Sequence, residues 1–486
     1  MGYNGLNVHD VTAAMFATYP MTNPTSSNVF EPRPWPLNAV ALRRIKALAA
    51  GLLPALLLAG CATQPAEPPA APEAAPQAMA CPAELPAGTR CLGGRDSAGA
   101  HVLIAMPANW SGVLVLHAHG GPLLGEPRPE RAVEDLKRWA VMVKAGHAWA
   151  GSTFRQGGVA VRAAAEDTER LRLMFSQHVA KPRHTVLHGQ SWGASVAAKG
   201  AEMYPGTPRA RPYDAVLLTS GVLGGGTRSY DFRLDLRVIY QHLCRNHPRP
   251  DEPAYPLWMG LPEGSTMTQA DLALRTRECL GLGLPAAQRT PEQARKLKAI
   301  AALVRVPETS VQGHLNWGTF HFREIATRNG GKPVFGNIGA VYAGSGDEAL
   351  DREINAQVPR YAADAAAVRV FGADTDPEGR IGVPVLSLHA VNDPVAFVEL
   401  QHHFRGVMQR GGSGERLVQV YTEHAEHSYL ADALYVAAVQ QLLAWSQGGP
   451  KPTPASMAAA CDASCRLIGA FEPLPLERRV PARQRP

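Results

Sequence analysis

Five consecutive residues constrain this chain more than any others: Gly189-Gln190-Ser191-Trp192-Gly193. They follow a strand-like apolar run, Thr185-Val186-Leu187-His188, and open a stretch of helical pattern rich in small residues, Ala194, Ser195, Ala197 and Ala198. A turn this abrupt from strand to helix needs unusual backbone geometry and close approach of the two elements. Glycines at 189 and 193 permit both and leave the Ser191 hydroxyl projecting from the sheet edge. In a chain with 46 Gly the short pattern recurs easily by chance; the strand before it and the helix after it make it informative. A competing use for Ser191 is to cap the N-terminus of that helix.

Around this turn the hydrophobic pattern alternates between short apolar runs and longer helical periodicity. His101 to Pro107, Val113 to His117, Ala148 to Phe154, Thr185 to His188 and Ala215 to Thr219 read as strands; Glu130 to Gly146, Glu166 to Val179 and Ala194 to Tyr204 read as helices. Such a rhythm implies a doubly wound, mostly parallel sheet covered on both faces. It breaks between about Gly221 and Gly382, where Pro, Gly, aromatic and charged residues mix, and resumes at Val383 to His389. A helix around Phe397 to Gln409, a strand at Arg416 to Tyr421 and a helix from Tyr429 to Ser446 complete it. The expected organisation is a leader (1–61), a Pro/Ala-rich linker (62–80), a core in two parts (81–225 and 376–450) interrupted by a mainly helical cap (226–375), and a tail (451–486) that wraps the surface or frays.

The seven cysteines divide into a single Cys61 and three sequential pairs, Cys81 with Cys91, Cys244 with Cys279 and Cys461 with Cys465. They are disulfide candidates suited to an oxidising compartment, and the absence of any Cys-x-x-Cys disfavours zinc. Arg43, Arg44 and Lys46, an apolar segment from Ala47 to Leu58, and Leu58-Ala59-Gly60-Cys61 resemble a bacterial lipoprotein signal. The apolar run is too short to span a bilayer. The resemblance implies cleavage before Cys61, its acylation, and a lipid-anchored protein exported to the cell envelope, periplasm or outer membrane. Because a long segment precedes the basic residues, this reading places the true start internally, near Val40. Residues 1–60 hold Arg33, Arg43, Arg44 and Lys46 against Asp10 and Glu31, so they supply a share of the net charge of +6 and the remainder is only mildly basic. Nothing reads as a nucleic-acid surface.

Chemistry at Ser191 requires further groups. Backbone N–H donors for an oxyanion come from a loop after an earlier strand and from the residue following the serine. The run Val113 to His117 ends in Ala118-His119-Gly120-Gly121-Pro122, so Gly120, Gly121 and Trp192 are the candidates; the bland use of the loop is a plain Gly-Pro turn. A base and an orienting carboxylate should follow in the order acid, then histidine. Asp393 lies in the loop after the strand Val385 to His389, where capping of the next helix is its alternative role; Asp374 and Asp376 precede that strand and fit less well. His427 stands between the last strand and the last helix and is preferred to His424. A rival reading takes His117-Ala118-His119 as a metal-binding pair, with His424, Glu426 and His427 as further ligands, in a metal-dependent hydrolase. Alternation of side chains along a strand argues against it.

The elbow, the His-Gly-Gly loop, the late Asp and the final His together resemble the α/β-hydrolase superfamily from about residue 95 to 450. Pro107-Ala108-Asn109-Trp110-Ser111-Gly112, Phe335-Gly336-Asn337 to Tyr342-Ala343-Gly344-Ser345, and Arg360-Tyr361-Ala362-Ala363-Asp364 are similar to secreted bacterial hydrolases of the esterase and prolyl-oligopeptidase-like kind. The resemblance implies attack by Ser191 with His427 as base and Asp393 as orienting acid, an acyl-enzyme, a small-molecule ester as substrate, and no cofactor or metal. A peptide or amide bond is the runner-up within the same mechanism. A non-catalytic envelope-binding lipoprotein on the same scaffold would lack a triad member, and none is lacking. Trp258, Trp317, Phe320, Phe322 and Tyr342 in the cap are expected chiefly to pack its own core.

Overall fold

The structure is a computed structural model that describes residues 72–207 and 209–486. The leader, Cys61 and the first part of the expected linker lie outside the described residues.

Ten strands form one sheet: β1 (Gln77–Met79), β2 (Arg90–Arg95), β3 (His101–Met106), β4 (Val113–Ala118), β5 (Ala148–Ser152), β6 (His184–Gln190), β7 (Ala215–Thr219), β8 (Val385–Ala390), β9 (Leu417–Thr422) and β10 (Leu467–Ile468). Their spatial order is β1-β2-β3-β5-β4-β6-β7-β8-β9-β10. Neighbours from β5 through β9 are parallel, whereas β1, β2, β3 and the β3–β5 pairing are antiparallel, as is β10 on β9. This mixed, mostly parallel order with helices on both faces is the α/β-hydrolase fold. Strands β4, β7 and β8 are buried along their whole length because both faces are covered, and their sequences are correspondingly near-continuous apolar runs.

Before the cap, the helices are α1 (Glu130–Arg138), α2 (Ala140–Lys144), α3 (Val161–His178) and α4 (Trp192–Met203). The single helix expected over Glu130 to Gly146 is broken at Trp139, whose φ of −97° and ψ of 18° leave the helical region while its indole is buried. Alternate strand residues face opposite layers. Leu114, Leu116, Leu187 and Val216 pack with Met174 and Phe175 of α3 and Ala194 and Ala198 of α4, whereas Val115, Val186 and Leu217 pack with Leu136, Trp139 and Met142. Residues Trp192 to Ala201 of α4 are all buried, which its Gly and Ala content makes sterically feasible.

Between β7 and β8 lie the short α5 (Gly226–Ser229), α6 (Phe232–Cys244), α7 (Gln269–Leu280), α8 (Pro291–Val304), α9 (Val311–Asn316), α10 (Phe322–Arg328), α11 (Glu348–Gln357) and α12 (Ala365–Thr375), with a π-helical turn, Trp317–His321, joining α9 to α10. Helices α7 and α8 start in reciprocal capping boxes, Thr268 with Asp271 and Thr290 with Gln293. The apolar cluster of this insertion runs without interruption from Leu236, Ile300, Phe322 and Tyr342 to Phe154 and Trp192 beside the elbow. After β8 come α13 (Glu399–Arg410), α14 (Asp432–Ser446), which packs Leu434, Val439 and Leu442 on the sheet face opposite α4, and α15 (Pro454–Ala459).

One end of the described chain differs from expectation, and the other takes one of its two expected courses. Residues 72–80, assigned by composition to the linker, dock on the body: Gln77–Met79 pair with β2, and the buried Glu73 carboxylate accepts hydrogen bonds from Ser97 N and Oγ, both at 2.7 Å. The tail does not fray. It adds β10 to the sheet and runs back over the cap, where Arg483 is buried between Asp235 (2.5 Å) and Asp231 (3.6 Å). Cys81–Cys91, Cys244–Cys279 and Cys461–Cys465 form disulfides. Among the described residues no helix is long and apolar enough to cross a membrane.

Candidate active site

The elbow between β6 and α4 holds Ser191 at φ 56° and ψ −119°, a conformation that L-residues adopt only under constraint. The constraint is close packing. A Cβ on Gly189 would overlap the Gly193 carbonyl, and one on Gly193 would overlap the carbonyl oxygens of Ala118 and His119. Both glycines are thus required for close approach, the second bringing the end of β4 against the start of α4. Ser191 caps nothing with its side chain. Its amide donates to Thr219 O at 2.9 Å and its carbonyl accepts from Val222 N at 3.0 Å, so the turn is tied to the neighbouring strand.

Three residues far apart in sequence meet here. The Ser191 hydroxyl donates to His427 Nε2 at 2.8 Å, and His427 Nδ1–H donates to the Asp393 carboxylate at 2.7 Å to Oδ2 and 2.9 Å to Oδ1. Asp393 also accepts from the backbone N–H groups of Val395 (2.8 Å) and Ala396 (2.9 Å), so it orders the turn before α13 as well as the imidazole. Holding Nδ1–H fixes the tautomer in which Nε2 is free to accept a proton. The residues are 7 %, 6 % and 8 % exposed for Ser191, Asp393 and His427, so all three are buried. His424 is turned elsewhere, its Nδ1 bonded to Thr422 Oγ1 at 3.0 Å. Asp374 and Asp376 serve other ends: Asp374 accepts from Arg162 N at 2.8 Å and Asp376 from Thr227 N at 3.1 Å.

The loop after β4 is anchored by its carbonyls. Gly120 O accepts from Arg131 Nη2 and His119 Nδ1, both at 3.0 Å, and across a trans peptide this directs the Gly121 N–H to the opposite side. Gly120 has no room for a side chain because a Cβ would overlap the Gln190 amide. Gly121 adopts φ 70°, a left-handed value that favours glycine. The Trp192 amide lies in the first turn of α4, where helix N–H groups lack intrahelical acceptors.

The two histidines of the rival metal reading point to different places. His117 Nδ1 shares a hydrogen bond with His188 Nδ1 at 3.0 Å, and His119 stacks on Phe154 at 4.4 Å. Among the described residues no group of three His, Cys, Asp or Glu side chains is arranged to hold a metal. These histidines are uncharged: burial first, then Arg131, lowers His119 to about 3, and burial, then Arg138, lowers His188 to about 3.

A connecting network went unread in the sequence. Gln190 Oε1 accepts from Arg138 Nη1 at 3.2 Å, Gln190 Nε2 donates to Ser428 Oγ, and Arg138 Nη2 donates to Ser428 O. The residue before the nucleophile is therefore linked to the residue after the base, with Arg138 lying over the Tyr429 ring at 4.2 Å. Its only sequence signal is the position of Gln190 inside the Gly-x-Ser-x-Gly turn. From the cap, His314 Nε2 donates to Pro394 O at 3.3 Å and His321 Nε2 donates to Pro122 O at 2.7 Å. The insertion thus touches the loops that carry Asp393 and Gly121.

No family model matches the chain, and no curated protein matches it in sequence. Among solved structures, a ligand-bound rice cell wall degrading esterase LipA from Xanthomonas oryzae aligns over 74 % of this chain and 90 % of its own at 13 % identity, with a TM-score of 0.37. An esterase from Aspergillus oryzae aligns over 75 % and 80 % at 13 % identity with a TM-score of 0.39. A membrane phospholipase A, described as a bacterial virulence factor, aligns over 74 % and 88 % at 13 % identity with a TM-score of 0.35. These likenesses are too distant to speak to activity, which has to be read from the residues.

Proposed function

We propose that the protein is a serine hydrolase that cleaves a carboxylic ester. One observation carries the reading: on a left-handed elbow, Ser191 Oγ is 2.8 Å from His427 Nε2 while His427 Nδ1 is 2.7 Å from Asp393. In this mechanism His427 takes the Ser191 proton as Oγ attacks the substrate carbonyl, and the oxyanion is stabilised by N–H groups of Trp192 and of Gly120 or Gly121. The tetrahedral intermediate collapses as His427 returns the proton to the leaving alcohol, giving an acyl-enzyme. Water activated by the same imidazole then attacks the acyl carbon, releases the acid and restores Ser191. Asp393 stabilises the imidazolium at both steps.

The test is covalent and kinetic. A fluorophosphonate should label Ser191 stoichiometrically, and short p-nitrophenyl esters should be turned over by the wild-type protein and not by Ser191→Ala. Chelator-sensitive turnover with no phosphonate labelling would sink this reading in favour of a metal.

Export is part of the same proposal and rests on different residues. Three disulfides support an oxidising compartment, and the signal-like run ending at Cys61 supports a lipid anchor. Cys61→Ser should move the protein from the membrane fraction to the soluble fraction; membrane retention of that variant would remove the anchor from the account.

A further inference from the structure

The cap holds three deeply buried arginines, and their surroundings differ. Arg483 is flanked by the carboxylates of Asp231 and Asp235. Among the described residues Arg237 makes no ion pair but donates from both terminal nitrogens, Nη1 to Gly260 O (2.6 Å), Gly318 O (3.2 Å) and Thr319 Oγ1 (3.1 Å) and Nη2 to Tyr255 OH (3.1 Å). Arg233, 5 % exposed, has one hydrogen bond, Nη1 to Ser229 O at 3.0 Å, and its buried Nε has no acceptor. The carboxylate nearest in sequence, Asp231, gives its Oδ2 to Arg483 and to Arg485 at 2.7 Å; its charge is felt by Arg233, but it makes no hydrogen bond to it.

Arg233, Arg483 and Arg485 thus share two carboxylates, Asp231 and Asp235, which leaves a buried positive charge in excess, and such an excess is costly. Faces of Trp317 (4.5 Å), Phe232 (4.6 Å) and Tyr230 (5.4 Å) around the guanidinium offset part of that cost. They do so without supplying an anion, and burial still draws the Arg233 pKa down to about 9.

The location of this cation is set by its neighbours. The Trp317 ring that faces Arg233 also stacks on His321, and the Phe232 ring beside Arg233 meets His314 edge-on at 5.0 Å. His314 bonds the carbonyl next to Asp393, and His321, stacked on Trp317 at 4.5 Å, bonds the carbonyl next to Gly121. Arg233 therefore sits in the cap between the contacts to the acid loop and to the loop of the candidate oxyanion donors. His321 Nδ1, on the ring stacked against Trp317, is also buried without a partner.

We infer that Arg233 is the recognition group for a carboxylate carried by the substrate, on the acyl or on the alcohol side of the scissile ester. The guanidinium fork suits a planar carboxylate, and the aromatic faces hold it in one orientation. This deepens the serine-esterase reading and rests on it.

The test uses matched pairs of esters. On the acyl side, the p-nitrophenyl monoester of glutaric acid is compared with its methyl-capped diester; on the alcohol side, 4-acetoxybenzoate with its methyl ester. The wild-type protein should favour the charged member of one pair by at least about tenfold in kcat/KM, and the pair that responds identifies the side. Arg233→Gln should lose a far larger factor on that charged ester than on its neutral partner, with Arg233→Lys intermediate. Equal rates within both pairs, or an equal loss on charged and neutral esters in Arg233→Gln, would overturn the inference. A second measurement is independent of turnover: glutarate should raise the melting temperature of Ser191→Ala but not of Ser191→Ala/Arg233→Gln. If both single variants at Arg233 fail to fold, the absence of a glutarate shift in Ser191→Ala alone rejects the proposal. Failure of phosphonate labelling with a retained glutarate shift would instead reject the serine mechanism and keep the carboxylate site.

Discussion

The floor of the candidate site and the cap above it solve the problem of buried polarity in opposite ways. On the floor, Ser191, His427 and Asp393 are bonded to one another, and Asp393 has two backbone donors besides. Nothing there has to wait for a ligand. In the cap, Arg233 Nε and His321 Nδ1 are buried and unmatched, while Arg483, brought from the tail to Asp231 and Asp235, is matched twice. A set geometry below and an unmatched cation above are what chemistry common to many esters, combined with selection of one class of them, would require.

The contrast can be broken by substitution. Ser191→Ala should lower ester turnover by about 10⁴-fold or more while leaving the melting temperature within a few degrees; a large drop in melting temperature would show the floor to be structural. Asp393→Asn keeps an acceptor for Val395 and Ala396 but disturbs the tautomer of His427, and kcat should fall about 10³- to 10⁴-fold. In the cap the balance reverses. Arg483→Ala leaves Asp235 without its cation and should destabilise the protein by roughly 3–5 kcal/mol, read by denaturant unfolding and by protease sensitivity of the cap. Intact stability in that variant would remove the distinction between matched and unmatched arginines.

Acid should act on the buried histidines first. His119 and His188 have folded-state values of about 3 against 6.5 for the free side chain, so between those limits the unfolded chain binds protons that the folded one excludes. Stability is fully present above pH 6.5 and declines as pH falls toward 3, by up to about 1.4 kcal/mol per pH unit for each. Asp135, raised to about 6 by burial, works the other way and gives up stability as pH rises through 6. His117 and His314, also buried and lowered, tip the sum toward acid lability. Melting temperatures should hold from pH 7.5 to 6.5 and fall from there to pH 5; a flat profile throughout would mean that these histidines are charged or solvated. The smallest effect is expected at Gln190, where Gln190→Leu uncouples the elbow from Ser428 and should cost about tenfold in kcat.

The floor was legible because its signals are local. Ser191, Asp393 and His427 follow β6, β8 and β9, each with a strand before and a helix after, and β4, β6, β7, β8 and β9 emerge within a residue or two of their apolar runs. The edge strands were not. Gln77–Met79 is wholly exposed, β2 carries Gly93 and Gly94, and β10 has two residues, so none has an alternation to read. Composition alone made 72–80 look like linker because it is poor in large side chains, yet backbone pairing and the Glu73 carboxylate suffice to dock it. The cap helices were recognised only as a break in rhythm, since their apolar positions serve a core assembled from several short elements. The Arg138, Gln190 and Ser428 network and the Arg483 pair with Asp235 depend on contacts across hundreds of residues, for which periodicity has no vocabulary.

Arg483 and Asp235 are 248 positions apart. An ion pair across that span closes a very long loop, so it forms only once both segments are in place, and its loss would leave the Asp235 carboxylate bare in the cap interior. The tail thus works as a clasp: where Arg483 lets go, the cap and the segment lying over it would loosen together.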